Sequence, residues 1–167
     1  MSINQYFLLQ AGQRQPHLKS QIRAGLVKTA FLCHSHRDDK LAEGLQALLA
    51  EQGVELYIDW KDASMPPEPN RETASRIQYR IKTCDWFLFL ATANSMTSRW
   101  CPWELGYADG QKPHERIAIV QTSDSTTTHG NEYMQLYRRI DTSSAGELIW
   151  VPAGGTHGQF VRTVPFL

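Results

Sequence analysis

Hydrophobic positions along this chain fall in short blocks separated by polar turns, and the spacing inside the blocks alternates between two types. Residues 29–33, Thr-Ala-Phe-Leu-Cys, form a compact apolar run. A polar turn, His34-Ser35-His36-Arg37-Asp38-Asp39, follows, and then Leu41, Leu45, Leu48 and Leu49 repeat at helical spacing up to Gly53. This predicts a strand, a loop and an amphipathic helix with two aspartates in its first turn, where the helix dipole favours them. Residues 54–59 alternate in type and predict a second strand. Residues 60–70 carry Pro66, Pro67 and Pro69 and read as a long loop, after which Asn70 caps a helix over 73–81. Asp85-Trp86-Phe87-Leu88-Phe89-Leu90 is nearly all apolar, as a strand buried on both faces is. Residues 91–98 read as a polar loop leading into a helix that holds Glu104. A fourth buried strand is predicted at 116–120, a polar flexible segment at 123–130, a short helix at 132–140 and a fifth strand at 148–151.

Strands and helices alternating five times predict an α/β fold. Right-handed crossovers narrow it to a flavodoxin-like doubly wound parallel five-stranded sheet of order 2-1-3-4-5. Ligands bind such sheets outside the carboxyl ends of the strands, at the switch point between strands one and three. The segments expected there are 34–37 and 91–98, with the turn at Asp59 and Trp60 able to cover them. Residues 1–26 are polar and weakly patterned, with short helices predicted at 5–9 and 18–26. They read as a loosely packed N-terminal extension, leaving 27–167 as the domain.

Composition removes several function classes. At 41% hydrophobic and 20% charged residues the chain is globular. Its 17 basic and 17 acidic residues balance, which argues against nucleic acid as a partner, because phosphate-backbone binding needs a basic surplus. The three cysteines are odd in number and widely spaced, so no disulfide framework or zinc site is expected. Cys33 and Cys84 read as reduced core thiols. No membrane span or signal peptide is visible, and the expected location is cytoplasmic. No glycine-rich phosphate cradle follows the first strand and no GK[ST] triplet occurs. Cys33, His34 and His36 are metal-ligand types, but strand alternation separates neighbours and no second cluster exists, so no metal is expected.

The chemistry concentrates in Ser98-Arg99-Trp100-Cys101-Pro102-Trp103-Glu104-Leu105-Gly106-Tyr107-Ala108. It sets one carboxylate, Glu104, among aromatic rings near a helix start, where the dipole is expected to keep it ionised. Such a carboxylate suits holding a sugar and stabilising positive charge on it. Trp100 and Trp103 are three apart, so one of them is expected to pack into the core. His34 and His36 suit satisfied structural roles, and Arg37 suits pairing with Asp38.

Residues 28–151 resemble the Toll/interleukin-1 receptor (TIR) domain family. The ordered set consists of Phe31-Leu32-Cys33-His34-Ser35-His36-Arg37-Asp38-Asp39, then Gly53-Val54-Glu55-Leu56-Tyr57-Ile58-Asp59, the proline loop, Cys84-Asp85-Trp86-Phe87-Leu88-Phe89-Leu90, and the W-x-x-x-E segment from Trp100 to Glu104. The variant resembles compact prokaryotic members, including those of Thoeris-type defence. The resemblance implies an enzyme that cleaves NAD between nicotinamide and ribose, with NAD as substrate and no cofactor. The products implied are ADP-ribose, cyclic ADP-ribose or an isomer. Glu104 matches the catalytic position and Trp100 the accompanying tryptophan, while His34, Ser35, His36, Arg37, Asp59 and Trp60 are implied to bind substrate. Self-association through the 60–70 loop and a downstream effector that responds to the product are implied partners, in antiphage defence. Two other readings stand beside this one: a non-catalytic TIR scaffold or mimic of host signalling, and a nucleoside deoxyribosyltransferase, against which the proline loop weighs.

Overall fold

The structure, a computed structural model, describes residues 1–13, 28–66, 68–133 and 135–161. Strand β1 (Ile3–Asn4) leads into α1 (Gln5–Gln13). Then come β2 (Lys28–Cys33), α2 (Asp39–Ala50), β3 (Val54–Tyr57), α3 (Arg71–Thr83) and β4 (Trp86–Ala91). The second half holds α4 (Ala93–Met96), α5 (Trp100–Gln111), β5 (Ile117–Ser123), β6 (Thr128–His129), β7 (Arg138–Thr142), β8 (Leu148–Val151) and β9 (Gln159–Phe160). The predicted helix at 18–26 lies outside the described residues.

The sheet runs β3-β2-β4-β5-β7-β8-β9, with β1 and β6 pairing to the end of β5. From β3 to β7 the pairs are parallel, while β8 and β9 join antiparallel. Strand alternation divides the core into two layers. Ala30, Leu32, Trp86, Leu88 and Leu90 face α1 and α2. Phe31, Cys33, Phe87, Phe89 and Ala91 face α3 and α5. Every residue of β4 is buried, which is why its sequence is a continuous apolar run. Burying a side chain such as Phe87 or Phe89 contributes about 1.5–3 kcal/mol.

The structure corrects the sequence reading in several places. Among the described residues the sheet has nine strands, where five were expected. The segment 132–140 is not a helix: a short 3-10 turn, Asn131–Tyr133, precedes β7, which takes the edge of β5 that was assigned to 148–151. Residues 148–151 do form a strand, β8, but it is antiparallel and lies one place further out. Arg139 explains the misreading of β7. A charged residue inside a buried strand hides the apolar pattern, and here it is buried in a pair with Asp141 at 2.9 Å. The 123–130 segment is a tight hairpin, with β6 antiparallel to β5 and Asp124 bonded to Thr126, Thr127 and His129.

The first thirteen residues are not loosely packed. Ile3 and Leu8 are fully buried, and β1 pairs in parallel with β5. Helix α1 lies so close on α2 that a Cβ on Gly44 would stand 2.0 Å from the Leu8 carbonyl oxygen.

Candidate active site

The carboxyl ends of β2 and β4, neighbours at the point where the chain reverses its winding direction, frame the crevice. Beyond β2, Ser35 opens a short 3-10 turn (His36–Asp38) by accepting the Arg37 amide at 3.3 Å. Beyond β4, residues 91–98 are not a plain loop: Thr92 and Ser95 form a capping box that starts the short α4. Ser98 Oγ then accepts the amides of Trp100 at 3.2 Å and Cys101 at 3.3 Å and fixes the start of α5.

Helix α5 places Cys101, Glu104, Leu105 and Ala108 toward the sheet. The Cys33 thiol on β2 donates to the Cys101 carbonyl at 3.7 Å. Glu104 is 5% exposed. Burial pushes its carboxyl well above the usual carboxylate range; the Cys33 thiol opposes this, and the charges of Cys101 and Asp59 add to it. Burial thus acts against the expectation that the helix dipole keeps Glu104 ionised.

His34 is buried, with Nδ1 3.2 Å from the Leu32 carbonyl. Burial pushes the imidazole down despite the opposing pull of Asp59, so the neutral ring is favoured. Assigned from that partner, Nδ1–H donates to the carbonyl and Nε2 carries a lone pair. Among the described residues Nε2 has no hydrogen-bond partner, and Asp59 Oδ1 lies 3.9 Å away. His34 is thus satisfied on one side only, and the structural role expected for it is half met. His36 is exposed, with Nε2 4.0 Å from Asp59 Oδ2.

The structure therefore groups Glu104, Cys33, Cys101, Asp59 and His34. Arg37 lies at the surface, and Trp60, 39% exposed, carries Lys61 Nζ 5.1 Å from its ring. Trp100 packs partly on the core and meets Trp103 edge-on at 5.4 Å. Trp103 is 37% exposed and stacks toward Tyr107 at 6.1 Å. A cavity of about 400 Å³ opens elsewhere, along β3 around Tyr57, Asp62 and Arg80, and neither Glu104 nor His34 lines it. Asp38 does not pair with Arg37: its buried carboxylate accepts Thr92 Oγ1 at 2.5 Å and Asn94 Nδ2 at 2.6 Å. Sequence reasoning missed these three residues; the Thr-x-x-Ser capping pattern at 92–95 was the available signal. Among the described residues no group of three or more His, Cys, Asp or Glu is placed to hold a metal, and no helix is long and apolar enough to cross a membrane.

Fold and site together define a doubly wound α/β domain with a buried acid at its switch-point crevice, the place where open α/β sheets bind ligands. Residues 30–148 match the family model described as "TIR domain", and the chain belongs to the TIR domain family. It is also similar to the "Probable 3' cyclic ADP-D-ribose synthase ThsB'" of Bacillus cereus (strain MSX-D12). The two are 32% identical over 139 residues, which cover 79% of this chain and 71% of the relative.

Proposed function

We propose that the protein cleaves NAD at the bond between nicotinamide and ribose. The observation that carries this reading is the Glu104 carboxyl group, buried on α5 at the crevice one helical turn after Trp100. Nicotinamide leaves as a neutral base, and the ribose left behind carries oxocarbenium-like charge. A carboxylate beside that cation stabilises the transition state more than the ground state, and more strongly in a dry site than in water. In the free protein the same burial favours the neutral acid. The cationic pyridinium ring of NAD, brought against Glu104, favours the carboxylate, so substrate binding and ionisation reinforce each other. Trp100 offers a ring for stacking. His34 Nε2 and Asp59 offer two acceptors for ribose hydroxyls. Ser35, His36, Arg37 and Trp60 form the outer rim of this reading.

Water attack on the ribose cation gives ADP-ribose; attack by a nucleophile on the other half of the same molecule closes a ring. The printed name of the Bacillus cereus relative supports the cyclic outcome. The product then acts as a messenger to a separate effector in antiphage defence. Self-association through the 60–70 loop belongs to this reading, because that loop begins at Asp59 beside the site.

The test is product analysis. Concentrated protein incubated with NAD is expected to release nicotinamide and a cyclic nucleotide of the mass of ADP-ribose less one water, read by mass-resolved chromatography. NAD left intact by protein shown to be folded and assembled would count against the reading.

A further inference from the structure

Asp38 stands at the N-cap of α2, the position where an aspartate normally accepts amides of the first helical turn, yet its side chain caps nothing there. The carboxylate instead crosses the switch point to Thr92 Oγ1 and Asn94 Nδ2, at 2.5 Å and 2.6 Å. Asp38, Thr92 and Ser95 are all buried.

From there a continuous set of bonds leads to α5. Thr92 Oγ1 accepts the Ser95 amide at 3.0 Å, and Ser95 Oγ accepts the Thr92 amide at 2.9 Å, which holds α4 in one orientation. The Ser95 carbonyl accepts the Ser98 amide at 3.2 Å. Ser98 Oγ accepts the amides of Trp100 and Cys101. Glu104 follows one turn later on the same helix.

We propose that Asp38 and Thr92 are positioning residues that set the place of Glu104 by fixing the start of α5 across the crevice from the turn after β2. The inference rests on the reading of Glu104 as the group that drives nicotinamide release. Neither residue needs to touch NAD. Their bond decides how deeply Glu104 sits against Cys33 of β2, Cys101 of its own helix and Asp59 of the turn after β3, the ionisable groups that act on it. Released from Thr92, the α4–α5 unit is free to shift, and Glu104 meets more water.

The experiment compares Thr92→Val, Thr92→Ser, Asp38→Ala and Glu104→Gln with the unaltered protein, using nicotinamide release against pH and thermal melting on each. Thr92→Val is expected to lower kcat/KM about tenfold to a hundredfold, the scale of a misplacement near 1 Å. Its acid limb is expected to move to lower pH, because a better hydrated Glu104 ionises more readily. Thr92→Ser keeps the hydroxyl and is expected to stay within about threefold of the unaltered protein, with its acid limb unmoved. Asp38→Ala, which also frees Asn94, is expected to lower the rate and move the acid limb in the same direction as Thr92→Val, and the double variant to lose less than the two single losses combined. A Thr92→Val protein that melts lower but keeps its rate and acid limb would overturn the positioning role and leave the staple purely structural. Nicotinamide release that survives in Glu104→Gln would instead overturn the reading of Glu104 on which the proposal rests.

Discussion

In the proposed reaction Glu104 faces two opposed demands: it must be dry to act strongly on a ribose cation and charged to act at all. Burial pushes its carboxyl up, so between the usual carboxylate range and that raised value the unfolded chain gives up a proton that the folded protein keeps. Stability contributed by the neutral buried acid is therefore present at low pH and lost as pH rises through this window. Glu104→Gln is expected to melt above the unaltered protein at pH near 8, with the gap closing in acid; thermal melts across pH check this. Catalysis runs the other way. Release of nicotinamide is expected to rise with pH, and the acid limb of kcat should lie below that of kcat/KM, because bound pyridinium favours the carboxylate. Coincident limbs would mean that the cation never reaches Glu104. Sequence pointed to Glu104 through its aromatic neighbours, but gave no sign of how deeply it is buried. Burial depends on Cys33 and Asp59, which are remote in sequence and arrive only by folding.

At the scale of elements, close approach is bought with glycine. On α2, Gly44 lets α1 sit with the Leu8 carbonyl oxygen 2.0 Å from where a Cβ would stand, so the chain there has no room for a side chain. Gly44→Ala is expected to destabilise by about 1–3 kcal/mol, against the gain that alanine normally brings to a helix. Gly110 on α5 provides the control, since a Cβ there meets nothing within 4 Å. Gly110→Ala is expected to stabilise by about 0.5–1 kcal/mol, a rise of roughly 2–4 °C per kcal/mol in melting temperature. The apolar runs of β2, β4 and β5 and the 3.6-residue repeat of α2 were legible because each follows one period. The close packing of α1 was hard to read because, beside the buried Leu8, its contact with α2 runs through Ala11, Gly12 and Gly44, small residues that give little hydrophobic pattern. Strand β7 was misread because Arg139 and Asp141 are buried as a pair, which a single-strand pattern cannot reveal.

At the scale of the whole molecule, the proposed reaction depends on how a substrate gains access to a buried Glu104. Glu104 is only 5% exposed, and Asp59, where the loop after β3 begins, lies 3.9 Å from His34. If copies of this chain open and complete the crevice for one another, the rate per molecule is expected to climb with protein concentration and to level off once assembly is complete. Turnover assays paired with sedimentation over a hundredfold concentration range check this, and a constant rate per molecule would assign the whole site to a single chain. The sheet order was legible around the crevice because β2, β3, β4 and β5 are short and strongly patterned. The outer strands β8 and β9 lie beyond it and leave the site unaffected. The most direct measurement is nicotinamide release from NAD by the unaltered protein and by Glu104→Gln, side by side at concentrations where both are assembled. Release is expected to fall at least a hundredfold in the variant while its fold and assembly persist. Equal release by both proteins would contradict it.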